Sequence, residues 1–209
     1  MEPEKKWIKW VLSFERAKEM YDKMWEDKIY VNEAANKQIE TMLRKNGKFN
    51  KSKTMNFGDL SQPVADINAG DFYIQHRNVT SGVFQDLDGM VAALANFSFR
   101  MAVQGNVTYK ETQETYFGFG ENKDVYTVQI SKVGIYIRDS YDFIGSQLGG
   151  LGHWNPDTNK VSKSAFNGSH EVNNATFREW RMNNECGGDF IIFSDIEIRE
   201  VNESWEVEI

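Results

Sequence analysis

Asp139, Tyr141 and Asp142 close an alternating, β-branched run, Val133-Gly-Ile-Tyr-Ile-Arg-Asp-Ser-Tyr-Asp142, and the glycine-rich stretch Gly145-Ser-Gln-Leu-Gly-Gly-Leu-Gly152 follows shortly after. Period-two alternation puts Asp139 and Tyr141 on one face of a strand, with Asp142 on the other face or turned away where the strand breaks. One carboxylate can activate water or bind a hard cation, a second can tune it, and a phenol can donate to developing charge. The same residues can also be structural. Asp142 then caps the turn into Phe143, Asp139 pairs with Arg138 or a lysine, and Tyr141 packs. At this level both readings stand.

A hydrolytic site also needs a proton relay. His153, beside Trp154, serves as general acid or base if the glycine loop folds back on Asp139; otherwise it is a packed or solvated residue. His76-Arg77, after Phe72-Tyr-Ile, is a basic pair that a phosphate-handling site can recruit, or an ordinary charged strand end. The cation that Asp139 and Asp142 suit is hard, Mg²⁺ or Ca²⁺. His170 lies in a polar stretch, and Asp189 and Asp195 flank the apolar run Phe190-Ile-Ile-Phe193. A single cysteine, Cys186, rules out an internal disulfide, and with three histidines it does not suit a structural zinc site. No phosphate-cradling glycine fingerprint, P-loop or nucleophile elbow is present.

The elements that position these groups are legible in outline. Between Ser13 and Lys45 two helices are expected: Phe14, Ala17, Met20 and Met24 repeat at helical spacing behind Ser13 as N-cap. Ala34, Ala35, Gln38, Ile39, Met42 and Leu43 repeat between Asn32 and the stop Asn46-Gly47. Residues 49–88 read as irregular. Strands are expected over 95–103, 107–110, 125–130 and 133–137, with Gly105-Asn106, Gly118-Phe-Gly120 and Ser131-Lys132 as hairpin turns. A loop is expected over 145–175 and a short helix over 176–183. Three final strands should lie at 190–193, 196–201 and 205–209. The fold class is α+β: an N-terminal helical hairpin (residues 1–48) packed on a curved, mostly antiparallel sheet or open β-barrel (residues 49–209) that forms one compact unit.

With 209 residues the chain can bury a sizeable core, and its net charge of −7 provides no electrostatic footprint for nucleic acid. The N-terminal residues contain no apolar run suited to a cleavable signal or a membrane span. If the protein acts outside the producing cell, it is expected to leave by a route that reads no such signal.

Four segments resemble a bacterial family of unknown function associated with type VI secretion loci: Trp10-Val-Leu-Ser-Phe-Glu-Arg-Ala-Lys-Glu-Met-Tyr21, Asn56-Phe-Gly-Asp-Leu60, Val133 to Phe143 with Gln147-Leu-Gly149, and Gly188-Asp-Phe-Ile-Ile-Phe-Ser-Asp195. That resemblance implies an antibacterial effector delivered by contact to the target cell's periplasm or envelope, with a cognate immunity protein or a secretion-system adaptor as partner. Asp139, Tyr141 and Asp142 are also similar to the Asp-x-Tyr-Asp motif of colicin M-like bacteriocins, which cleave the lipid II peptidoglycan precursor. Residues 94–107 resemble the strand-turn-strand that precedes that motif. The likeness implies phosphodiester hydrolysis, with Asp139 as main carboxylate, Asp142 assisting or binding metal, and Tyr141 positioning phosphate. The bacteriocin motif continues with His-Arg where this chain has Gln147-Leu-Gly-Gly150, so His153 or His76-Arg77 would have to substitute. Two other roles stay open: a membrane-depolarising effector using the aromatic N-terminal hairpin, and a non-enzymatic adaptor or immunity-type binding protein.

Overall fold

The computed structural model describes residues 7–80, 90, 94, 96–113, 122–141, 152–155, 160–162, 170–187 and 190–209. These divide into a larger unit, residues 1–139 with 193–209, and a smaller one, residues 140–192.

The larger unit begins with helices α1 (Trp7–Val11), α2 (Glu15–Glu26) and α3 (Glu33–Lys45). Helical spacing buries Ala17, Tyr21 and Met24 on α2 and Ala35, Ile39 and Leu43 on α3, the expected stripes. Asn32 caps α3 by accepting the Ala35 N–H at 2.8 Å. The helix stops at Asn46 and Gly47, where a φ of +59° favours glycine. Ser13 departs from expectation. Its hydroxyl donates back to the Trp10 carbonyl at 2.6 Å, ending α1, while Phe14 stands at the N-cap of α2 without a side-chain cap.

The sheet is mixed with helices as expected: an antiparallel sheet that curls into a half-barrel. Strands β3 (Phe97–Gln113) and β4 (Asn122–Tyr141) pair along their lengths. Two short strands, β1 (Met55–Phe57) and β2 (Tyr73–Val79), share the far edge of β3. On the other side β9 (Glu197–Glu208) pairs with β4. Gly105-Asn106 and Ser131-Lys132 are not turns. They sit at register shifts inside the two long strands, where Ser131 is the extra residue of a bulge that bends the sheet. Gly105 is required by close approach: a Cβ there would collide with the Gln129 carbonyl and lie 2.7 Å from the Phe57 ring. The region expected to be irregular holds β1, β2 and the helix α4 (Val64–Ala69).

Alternation gives the sheet two apolar faces. One packs on α2 and α3 through Phe97, Phe99, Met101, Val133, Ile135 and Ile137, with the Tyr21 and Phe99 rings edge to face at 5.8 Å. The other face gathers Ala102 and Tyr136 with Leu60, Ile67, Phe193 and Ile196. Trp205 ties β9 to α3 by donating its indole N–H to Glu40 at 3.0 Å. The final segment is one strand instead of two, with Trp205 and Val207 turned inward and Glu206 and Glu208 outward; Ile209 beyond them is exposed.

In the smaller unit, the stretch expected to be a loop contains three short strands, β5 (Gly152–Asn155), β6 (Lys160–Ser162) and β7 (His170–Val172), with β5 in the middle. The expected helix is present as α5 (Asn174–Asn184), opened by an Asn173–Thr176 capping box. Strand β8 (Phe190–Phe193) follows. The expected turn at Gly118-Phe-Gly120 lies outside the described residues.

Candidate functional site

Asp139 falls two residues after Ile137 on β4 and shares its face, at the end of the run Val133, Ile135, Ile137. It is 3% exposed and is a partnered residue. Among the described residues it is the one acidic or basic side chain that is buried. Removing a carboxylate from water costs on the order of several kcal/mol unless the surroundings compensate it, so a buried acid at a strand end marks a constrained position.

The backbone leading to Asp139 is held by Ser194. Its N–H donates to the Ile137 carbonyl at 3.1 Å, and its hydroxyl accepts the Ile137 N–H at 2.9 Å while donating to the Asp195 carbonyl at 2.6 Å. Asp195 in turn accepts the Ile8 N–H at 3.1 Å, anchoring the start of α1. Sequence reading noted the acids around Phe190–Phe193 but not this serine; a small hydroxyl after an apolar strand is the one signal it left.

Tyr141 is the last residue of β4, its side chain outside the described set, and Asp142 lies outside the described residues altogether. His153 is half-buried on β5, cross-strand from Glu171 and Ser162. His76 and Arg77 are neighbours on β2 and so point to opposite faces. Arg77 stands opposite Phe99, on the face that carries Asp139, and donates to the His76 carbonyl at 2.9 Å. His76 stands opposite Arg100, which in turn stands opposite Tyr136, on the other face. The sheet therefore separates His76 from Asp139. Among the described residues no group of three or more His, Cys, Asp or Glu is placed to hold a metal ion.

The face of His76 carries polar groups that sequence reading missed. Tyr73 and His76 are hydrogen-bonded, Oη to Nδ1, at 3.0 Å. The Arg100 guanidinium lies over the Tyr73 ring at 4.5 Å and donates to Asn68 Oδ1 at 2.8 Å. Tyr136, fully buried, donates to the same oxygen at 3.2 Å. Burial pushes the Tyr136 phenol up; Arg100 pulls it down, Tyr73 adds to the rise, and Arg138 pulls it down. Close by on the sheet, a cavity of about 310 Å³ is lined by Phe57, Leu60, Asp66, Ile67, Phe72 and Ala102, among others, and none of the six predicted site residues lines it.

The fold is thus an α+β protein with a curled half-barrel that carries a buried acid, Asp139, near the end of β4. The chain belongs to a family of unknown function (DUF6402), whose profile matches residues 4–166 and 157–209. No curated protein and no solved structure matches it.

Proposed function

We propose that this protein is an antibacterial effector of a type VI secretion locus that acts at the target-cell envelope as a phosphodiester hydrolase on a lipid-linked peptidoglycan precursor. The observation that carries this reading is Asp139, the one buried acid among the described residues, heading Asp-Ser-Tyr-Asp at the end of a half-barrel strand. Its carboxylate accepts a proton from water, the water oxygen bonds to phosphorus, the bond from phosphorus to the lipid oxygen breaks, and the proton passes to that departing oxygen to give the lipid alcohol. Tyr141 positions the phosphate and Asp142 assists. A cognate immunity protein and a secretion-system adaptor are the partners this role requires. Expression in the periplasm of a sensitive bacterium tests it. Wild type should halt growth with loss of the precursor, and Asp139→Asn, at equal abundance, should not. Undiminished toxicity of Asp139→Asn ends this reading.

A second reading draws on α1, where Trp7 and Trp10 are 46% and 41% exposed and pack edge to face with centroids 6.1 Å apart. Exposed tryptophans suit the membrane interface, although no helix among the described residues is long and apolar enough to cross a membrane. On this reading a potential-sensitive dye reports depolarisation without precursor loss, and Trp7→Ala with Trp10→Ala suppresses it. A polarised membrane during growth arrest counts against it.

A further inference from the structure

The face of the sheet turned away from α2 and α3 carries a group of cationic side chains. Arg100 and Arg138 both face that side, as strand neighbours and cross-strand neighbours of Tyr136, and His76 stands opposite Arg100. Among the described residues neither arginine makes an ion pair, in a chain with 31 acidic residues to 24 basic ones.

Arg100 is also preorganised. The Tyr73 ring supports the plane of its guanidinium, and Asn68 Oδ1 fixes one terminal nitrogen. Tyr136 donates to that oxygen as well, so the Asn68 amide is held by two donors and orients Arg100. Its Nε is buried with no acceptor among the described residues, and its second terminal nitrogen has none either. Leaving a buried donor unmade costs about 1–3 kcal/mol, and more for a charged group, which an arriving anion would offset. Exposed His76 shares a hydrogen bond with Tyr73 through Nδ1, and its Nε2 is a donor to an anion in the tautomer in which the Tyr73 hydroxyl donates.

We infer that Arg100, held by Tyr73 and Asn68, and His76, held by Tyr73, form with Arg138 a binding site for a phosphate group on the sheet face opposite Asp139. A tetrahedral oxyanion offers more acceptors than a carboxylate and suits two guanidinium groups and an imidazole carried on one face of adjacent strands. The site is independent of the hydrolytic reading. The phosphate is either free or carried by a lipid headgroup, and one donor set serves both.

Titration calorimetry of the full chain with inorganic phosphate and with pyrophosphate tests the inference, in low salt. Binding is expected to weaken at least about tenfold in Arg100→Gln and several-fold in Arg138→Gln and His76→Gln, and to survive in Asp139→Asn. Arg138 and His76 keep contact with solvent, so their variants decide the matter if Arg100→Gln does not fold. Vesicles of phosphatidylglycerol, against phosphatidylcholine alone, separate the sources: retention on the anionic vesicles that Arg138→Gln abolishes assigns the lipid phosphate, and binding of free anion alone assigns the soluble one. Affinity for phosphate unchanged in Arg138→Gln and His76→Gln overturns the site, as does no binding of either free anion or vesicle at about 10 mM phosphate.

Discussion

Asp139 and His76 lie on opposite faces of one sheet: Asp139 shares the face of Ile137 and Phe99, whereas His76 shares that of Arg100 and Tyr136. A strand alternates its side chains with period two, so no side-chain rotation on β2 or β4 brings the two together through β3. Any chemistry on Asp139 is separable from His76.

His76→Ala should therefore leave precursor hydrolysis within about twofold of wild type, since it removes no group that reaches the reacting atoms. Initial rates of headgroup release measure this. A loss of several orders of magnitude would place the imidazole in the reaction and contradict the separation of faces.

Ser194→Ala removes the side-chain acceptor that the buried Ile137 N–H uses. The expected loss is about 1–3 kcal/mol of folding stability, the cost of a buried donor left without its partner. Urea denaturation gives the value, and amide exchange should show faster exchange at Ile137 before the rest of β4. Stability unchanged within error would mean the serine hydroxyl is not holding the strand.

Gly105→Ala puts a methyl group against the Gln129 carbonyl and the Phe57 ring inside the β3–β4 pair. Both neighbours are part of the packed sheet, so the substitution should cost about 3 kcal/mol or more. Thermal unfolding followed by circular dichroism checks it. A shift of only a degree or two would show that the strands can part at the bulge.

Burial pushes the Tyr21 phenol up from 10.0 to about 12; the neighbouring Trp25 indole opposes the rise and Glu197 adds to it. A folded-state value above the unfolded one stabilises the fold fully below pH 10 and is lost as pH rises toward 12, because the folded state then holds the proton that the unfolded state has released. Tyr21→Phe has no proton to lose, so its alkaline unfolding midpoint should lie higher than that of wild type. At neutral pH it should lose up to about 1 kcal/mol with the bond that Arg199 donates to the phenol at 3.3 Å. An unchanged alkaline midpoint would contradict the buried, neutral Tyr21.

The parts of this fold legible in the sequence are those where one local pattern dominates. The α2 and α3 stripes, the Asn32 cap and the Trp205–Val207 alternation each follow from spacing within a few residues. The bulges at Gly105 and Ser131 look like turns in sequence because a glycine or a polar pair breaks a strand pattern in the same way, and only the pairing partner distinguishes the two. Ser13 fits a cap by type, but the carbonyl of Trp10 competes for its hydroxyl. Strands β5 to β7 lie in Gly-, Asn- and Ser-rich sequence, where tertiary pairing overrides local preference. The acid of the candidate site was visible as a motif, and its burial was not. Asn68, Arg100 and Tyr136 come from α4, β3 and β4, and nothing local to any of them announces that they converge.

The central claim turns on one carboxylate, and release of the pyrophosphate-bearing headgroup from purified lipid II measures it most directly. Wild-type protein should liberate the headgroup, and Asp139→Asn, shown by circular dichroism to be folded, should release it at no more than about a thousandth of that rate. Equal release by the two proteins, or none by wild type under any cation supplied, would contradict the account.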